Sequence, residues 1–311
     1  MIESVSIRVS GYQDSDPGIG VMRLCTFRDR EEISAGVVLG TNVVSIPLLN
    51  KFAGTFFPNS VLEIIKSSQL AELGQTILRL GDRIERQADL ADVRFACLYS
   101  NPPKIWGIGL NFEEHATDLA EKRPDEPASF MKPATVMIGP GEAVRLPGDS
   151  ERVTGEAELA VVIGKRCKSV PRENVPSVIA GFLPAIDMTA EDILRRNPRF
   201  LTRAKSYDTF LSLGPILTTW DEIQSEEELR NIRVCTQLNG QTHRSNILAN
   251  MRMDVLDLIA FHSRVFTWEP GDILLTGTPG AVVLSPGDRI GCEIEGFSSA
   301  ENPVLGSRGE V

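Results

Sequence analysis

Short apolar segments separated by proline–glycine turns make up most of the chain after Ile105, and they constrain its fold more than any other feature. The segments are rich in β-branched residues and glycine: IWGIGL, ELAVVIGK, IRVCTQLN, DILLTG and RIGCEIEG. The turn clusters GPGE, LPGDS, EPGD and SPGD separate them, because proline and glycine favour tight turns. Helical patterns occur at 112–121, 172–181, 189–196 and 250–264. We therefore expect an α+β, β-rich fold, a mixed β-sandwich or roll rather than a doubly wound parallel sheet.

The first 98 residues have a different pattern. Residues 22–46 read as short strands joined by a charged turn, and residues 60–81 place apolar side chains at helical spacing and end on Gly81. Two prolines in LYSNPPK stop any regular element and mark a linker. The sequence thus predicts a small N-terminal α+β domain over 1–98 and a larger β-rich domain over 104–311.

Charge and cysteine content exclude several classes of function. A net charge of −10 argues against a nucleic-acid partner. No apolar run reaches the roughly 18 residues that cross a membrane, and the N-terminus lacks the pattern of a secretory signal. The five cysteines form no CxxC pair and predict reduced thiols. We therefore expect a cytoplasmic protein without a membrane partner.

Several catalytic templates are absent from the sequence. It contains no GxSxG elbow, no phosphate-binding GxxxxGK[ST] loop and no HExxH zinc motif. With three histidines in the chain, a multi-histidine metal site is not expected. Any bound metal should be a hard cation held by oxygen ligands.

Glu156 and Glu158 open the apolar run GEAELAVVIGK and are the first candidate ligands. Side chains two residues apart on a strand share one face, so the two charges repel unless water, a basic side chain or a metal ion compensates them. A solvated strand edge is the alternative for this pair alone. Asp187 follows the apolar run VIAGFLPAI, which should carry it inward to a strand end as a third carboxylate. Three carboxylates are typical of a magnesium or calcium site.

Lys205 lies in an apolar, turn-rich segment, where it reads either as a surface lysine or as an ammonium beside the metal, with Asp208 as a possible partner. Glu191 and Asp192 belong to a helical patch, where a solvated face is expected.

His115 precedes Asp118 by three residues in a helical pattern, which predicts a histidine–carboxylate base within a polar, lid-like segment. His243 and His262 have no such partner and are interpreted as structural. The strand ending in Thr276–Gly280 predicts either a plain turn or a cradle for a carboxylate, built from backbone N–H groups and a threonine hydroxyl.

Taken together, six ordered motifs resemble the fumarylacetoacetate hydrolase family over residues 105–304. The motifs are GIGLNFEEHATD, FMKPATVMIGPGEAVRLP, GEAELAVVIGK, AIDMTAED, AKSYDTFLSLGP and PGDILLTGTPGAV. The resemblance implies a mixed β-sandwich roll, a homodimer and a divalent ion, with Mg²⁺ expected and Mn²⁺ or Ca²⁺ as alternatives. It also implies the site residues: metal ligands Glu156, Glu158 and Asp187; catalytic residues His115, Asp118 and Lys205; substrate-binding residues Thr278, Gly277 and Lys132.

The sequence departs from the family pattern at several positions. Asp118 stands where glutamate is usual, Ile186 where asparagine is common and Glu191 where arginine is common. Arg244 replaces a common glutamine and is predicted to bind a second carboxylate of the substrate. The loop after Gly280 is also shorter than is typical, which should change the rim of the pocket.

The family resemblance predicts a metal-dependent hydrolase that cleaves a carbon–carbon bond in a small 1,3-dicarbonyl or acylpyruvate-type acid. A decarboxylase of an oxaloacetate-like acid and an isomerase or tautomerase of a 2-hydroxy-diene-dioate are alternatives on the same fold. A catalytically silent binding protein is the alternative from another class. It is less expected, because three converging carboxylates are costly to keep without a cation.

Overall fold

The structure is a computed structural model in which 22–29, 32–84, 87–112, 125–223 and 225–307 are described. The N-terminal strands and helices are β1 Arg23–Asp29, β2 Glu32–Leu39, β3 Asn42–Ser45, α1 Ile46–Ala53, α2 Val61–Lys66, α3 Leu70–Leu80, β4 Ala88–Asp89 and β5 Arg94–Phe95. The elements that follow are β6 Ile105–Gly109, β7 Ala128–Lys132, β8 Met137–Ile138, β9 Val144–Arg145, β10 Val153–Ile163, β11 Ile179–Ala190, α4 Glu191–Arg196, α5 Leu201–Lys205, β12 Leu211–Leu213 and β13 Ile216–Thr219. The last are α6 Glu226–Asn231, β14 Arg233–Leu238, β15 Gln241–Ile247, α7 Val255–Val265, β16 Ile273–Leu275, β17 Ala281–Val283, β18 Arg289–Ile294 and β19 Ala300–Leu305.

The strands form two sheets, which confirms the predicted β-rich α+β class. The larger sheet has 14 strands and follows the order β4, β3, β2, β1, β13, β11, β10, β16, β6 and β7, with four further strands paired to its members. The smaller sheet follows the order β15, β14, β18, β19 and β9. Most pairs are antiparallel, but β6–β16, β8–β12 and β9–β19 are parallel. The sheets are therefore mixed, as expected, and differ from a doubly wound parallel sheet.

Strands β10 and β11 form the centre of the molecule. Every residue of both strands is buried. One face of β10 contacts the smaller sheet, where a Cβ on Gly155 would lie 2.9 Å from Ile290 Cγ1. The opposite face carries Glu156 and Glu158. Their burial thus follows from a strand that is covered on both sides.

The N-terminal elements continue the larger sheet, because β1 pairs antiparallel with β13. Helix α1 begins after Ser45, whose hydroxyl accepts the Leu48 N–H, and α3 ends at Gly81, which adopts a positive φ of 51°. The expected helix over 60–81 is thus present as two helices, α2 and α3. Strands on both sides of the segment 98–104 belong to one sheet, and the proposed domain boundary there stays a prediction.

Two predicted helical patterns take other forms. Residues 172–178 form a 3₁₀ helix that contains Pro176, and the chain then enters β11 at Ile179. The pattern at 250–264 corresponds to α7, which begins only after Asp254, whose carboxylate accepts the Asp257 N–H. No helix in the described part of the chain is long and apolar enough to cross a membrane.

Candidate metal centre

Three buried carboxylates meet on one face of the β10–β11 pair. Glu156 lies directly opposite Asp187 in this antiparallel register, and Glu158 lies two residues along β10 on the same face. Their exposed fractions are 6%, 2% and 0% for Glu156, Glu158 and Asp187. Ligand oxygens from the three residues lie within 4.8 Å of one another. The structure thus brings together the predicted metal ligands, and the solvated-edge alternative for the two glutamates is wrong.

Lys205, at the end of α5, binds two of these carboxylates. Its Nζ donates to Glu156 Oε2 at 2.7 Å and to Asp187 Oδ2 at 2.6 Å. The lysine is 6% exposed, so the surface alternative for it is wrong. Asp208 is exposed, and the partners of Lys205 are the site carboxylates instead.

A second lysine, Lys132 of β7, binds the other carboxylate oxygen of Asp187. Its Nζ donates to Asp187 Oδ1 and, at 3.3 Å, to the carbonyl of Met188. Burial lowers the pKa of Lys132 to about 8, although the charge of Asp187 opposes this shift. Burial would lower the pKa of Lys205 as well, but the carboxylates around it outweigh burial and raise that pKa.

An aromatic ring, which the sequence did not single out, supports both ammonium groups. Lys205 Nζ lies 4.8 Å and Lys132 Nζ 6.0 Å from the centroid of the Phe130 ring. Phe130 lies opposite Gly107 in the β6–β7 pair, and the ring occupies the space that a Cβ on Gly107 would need. Glycine in GIGLNF therefore serves close packing here.

Glu158 is the carboxylate that the lysines do not reach. Its Oε2 accepts the Gly277 N–H at 2.7 Å, and no basic side chain among the described residues pairs with it. Burial, and then the charge of Asp187, raise the pKa of Glu158 well above its usual value. When all three carboxylates are ionised, the two lysines leave one net negative charge in this part of the site.

The donor set fits a divalent cation. All three ligands are carboxylate oxygens, which Mg²⁺, Mn²⁺ and Ca²⁺ accept, and within the described ranges one of the carboxylates, Glu158, has no positive partner. A divalent ion between the three groups would compensate the charge of Glu158. Thr189 also orients a ligand, because its hydroxyl donates to Glu156 Oε2 at 3.1 Å.

The loop after β16 borders the carboxylates, and its predicted role as a cradle for a substrate carboxylate stays a prediction. Gly277 adopts a positive φ of 98°, and its N–H is already used by Glu158. The Thr278 hydroxyl lies 3.2 Å from both the carbonyl and the N–H of Gly280. A Cβ on Gly280 would lie 2.6 Å from Cγ of Arg244, so this arginine lies against the same loop.

Asn111 and Arg252 connect this loop to another part of the chain. Asn111 Nδ2 donates to the carbonyl of Thr276 at 2.9 Å. The backbone carbonyl of Asn111 accepts the backbone N–H of Arg252. The Arg252 guanidinium binds Asp125 at 2.9 Å. Asn111 and Asp125 stand on either side of the interval 113–124. The predicted base, His115 with Asp118, and its lid-like segment lie in that interval, outside the described residues.

The structure also shows the surroundings of Glu191, which was expected to be solvated, and of His262 and His243, which were interpreted as structural. Glu191 is 6% exposed and pairs with Arg152 and Arg195, both at 2.5 Å, so the expected solvated face is wrong for this residue. Its two arginines compensate the charge that burial would otherwise penalise. His262 is buried and its Nδ1 lies 2.8 Å from the carbonyl of Leu258, whereas His243 is exposed.

Comparison with known proteins gives one family. A family model described as fumarylacetoacetate (FAA) hydrolase C-terminal matches residues 104–305. The chain is 33% identical over 298 residues to the human oxaloacetate tautomerase FAHD2A, mitochondrial, and the match covers 91% of this chain and 92% of that protein.

Two solved structures share the fold over nearly their whole length. Maleylpyruvate hydrolase from Sphingobium sp. SYK-6, in complex with manganese(II) and pyruvate, has a TM-score of 0.75 and 28% identity, covering 92% of this chain and 99% of that one. The 2-hydroxyhepta-2,4-diene-1,7-dioate isomerase from Mycobacterium marinum has a TM-score of 0.70 and 27% identity, covering 92% and 98%.

Proposed function

The chain belongs to the fumarylacetoacetate (FAA) hydrolase family, and from that premise we propose that it is a divalent-metal-dependent enzyme that enolises a small 2-oxo acid. The observation that carries the proposal is the convergence of three buried carboxylates with two lysines on one face of the β10–β11 pair. We propose Mg²⁺ as the ion, with Mn²⁺ as the alternative that the complex of the hydrolase from Sphingobium supports.

The ion and the chain have separate tasks in this proposal. Glu156, Glu158 and Asp187 would hold the ion, which supplies Lewis acidity toward the oxygens of a 2-oxo acid. Lys205 and Lys132 place two positive charges beside those oxygens. In a site of such low exposure, these charges stabilise the negative charge that develops when a proton leaves the carbon next to the carbonyl.

Keto–enol tautomerisation of an oxaloacetate-like acid is the reaction we favour. A human relative that matches nine-tenths of this chain is an oxaloacetate tautomerase. In this reaction the enol oxygen loses a proton and carbon 3 gains one, so neither water nor a leaving group is consumed. The described residues supply the positive charge that the reaction needs, and His115 with Asp118 stays the predicted base.

Carbon–carbon hydrolysis of an acylpyruvate-type acid is the second candidate. The likeness to maleylpyruvate hydrolase favours it. Hydrolysis shares the enol-forming step but also requires an activated water, which is the role predicted for His115. Double-bond isomerisation is supported by the dienedioate isomerase from M. marinum, whereas decarboxylation rests on the sequence resemblance alone.

The cellular setting and the assembly remain proposals. We propose a homodimer without nucleic-acid or membrane partners, as the family resemblance and the net charge of −10 suggest. The human relative is named as mitochondrial, so the cytoplasmic location stays a prediction.

A substrate panel with matched variants tests the function. Purified protein with Mg²⁺ or Mn²⁺ would be given oxaloacetate in its enol form, an acylpyruvate and a 2-hydroxy-diene-dioate, with ultraviolet absorbance and product NMR as readouts. We expect fast loss of the oxaloacetate enol, abolished by EDTA and by Glu158→Gln. The control Glu151→Gln makes the same chemical change at an exposed position and should keep full activity. Turnover that EDTA leaves unchanged, or that Glu158→Gln retains, would contradict the proposal.

A further inference from the structure

Arg244 lies across the loop that borders the carboxylates. If Gly280 carried a Cβ, that atom would lie 2.6 Å from Arg244 Cγ, 2.8 Å from Cδ and 3.0 Å from Nε. Real carbon atoms do not approach so closely, so the arginine stem rests directly on the glycine backbone. Any larger residue at 280 would displace the arginine.

The position of Arg244 in β15 places it on a sheet face that contacts the loop at Gly280. Arg244 lies directly opposite Thr236 in the β14–β15 pair, and opposed residues share one face of a sheet. On that face the Thr236 hydroxyl accepts the Ala157 N–H at 3.2 Å and donates to the Gly280 carbonyl at 3.0 Å. The face that Arg244 occupies therefore contacts both β10 and the loop.

The loop then connects Arg244 to the carboxylate cluster. Ala281 follows Gly280 and pairs with Glu156 across β17 and β10, and Thr278 precedes Gly280 by two residues. The guanidinium is half-buried, and its contacts include a hydrogen bond from Nη1 to the carbonyl of His243 at 3.3 Å. Arg244 thus lies against the same loop whose Gly277 N–H binds Glu158.

We propose that Arg244 is a specificity-determining residue that binds the distal carboxylate of a dicarboxylic 2-oxo acid, an inference that rests on the proposed function. The oxo-acid end of the substrate lies at the carboxylates and lysines, and its second carboxylate lies at Arg244 beside Thr278. A guanidinium offers two parallel N–H donors and a permanent charge to a carboxylate. Monocarboxylic 2-oxo acids lack this contact and are poorer substrates.

Matched ligands and matched variants test this role. The kinetic pair is oxaloacetate and its 4-methyl ester, which differ in the distal charge, with exchange of the carbon 3 protons into D₂O followed by NMR. The binding pair is malate and 2-hydroxybutyrate, titrated by calorimetry with Mg²⁺ present. The variants are Arg244→Gln, Arg244→Lys and the control Arg233→Gln, which changes an exposed arginine in the adjacent strand of the same sheet.

We expect Arg244→Gln to lower the preference for the diacid by about 10- to 100-fold in both pairs, because a charge-assisted hydrogen bond is lost. The change should lie mainly in KM for the kinetic pair and in Kd for the binding pair. Arg244→Lys should lose less, because it keeps the charge, and Arg233→Gln should keep the preference of the native protein. An unchanged malate preference in Arg244→Gln would overturn the inference while leaving the enolisation proposal intact. Inactivity of the native protein toward both kinetic substrates would instead refute that proposal, and the calorimetric ratio would still decide the role of Arg244.

Discussion

Replacing Lys205 by methionine tests how the site balances its charges. The Lys205 ammonium lies 2.7 Å from Glu156 and 2.6 Å from Asp187, and the side chain is 8% exposed. Methionine fills a similar volume but removes the charge, so one net negative charge in the described cluster becomes two. Breaking a buried ion pair by removing one partner costs about 3–5 kcal/mol. We expect the free energy of unfolding of the metal-free protein to fall by about that amount.

A divalent ion should reverse part of this loss. Without the Lys205 ammonium, the carboxylates repel one another more strongly. Saturating Mg²⁺ should therefore stabilise Lys205→Met more than it stabilises the native protein. Urea unfolding in EDTA and in Mg²⁺ measures both effects. The control Lys165→Met removes an exposed lysine and should change stability by less than about 0.5 kcal/mol. If Lys205→Met lowered the free energy of unfolding equally in EDTA and in Mg²⁺, the charge balance would be refuted. A decrease in EDTA no larger than that of Lys165→Met would refute it as well.

Two further substitutions test the surroundings of the cluster. Because burial raises the pKa of Glu158, its contribution to the stability of the metal-free protein should be fully present below its ordinary pKa of 4.5 and be lost as the pH rises through the raised pKa. Glu158→Gln should remove this part of the pH dependence, measured by urea unfolding in EDTA. Gly107→Ala should destabilise the protein by about 1–3 kcal/mol and lower kcat/KM, because the new Cβ displaces the Phe130 ring beneath the lysines. Gly109→Ala on the same strand meets only a carbonyl at 3.9 Å and should retain stability and kcat/KM in thermal unfolding and activity assays.

The sequence predicted the local features of the site well. The spacing of Glu156 and Glu158 placed both on one strand face, and that holds because alternation in a strand depends only on neighbouring residues. Asp187 was expected at a strand end, but β11 continues to Ala190 and the carboxylate lies inside it, opposite Glu156. The strand length depends on pairing with β10, which the residues around Asp187 do not reveal.

Features that depend on distant contacts could not be predicted. Lys205 is buried because Phe130, more than seventy residues earlier, covers it, and Glu191 is buried because Arg152 and Arg195 compensate its charge. The pairing of β1 with β13 likewise joins segments almost two hundred residues apart. Nothing in a local pattern specifies such partners, so burial of a charged residue is visible only in the folded chain.

Calorimetric titration of the metal-free protein with Mg²⁺ and Mn²⁺ tests the central claim most directly, that the three buried carboxylates form a divalent-metal site. We expect one ion per chain for the native protein, and an affinity lowered at least about tenfold by Glu158→Gln, which removes one anionic ligand. Glu151→Gln should bind as the native protein does. Equal affinities for the native protein and Glu158→Gln, or no heat of binding with either ion, would contradict the claim.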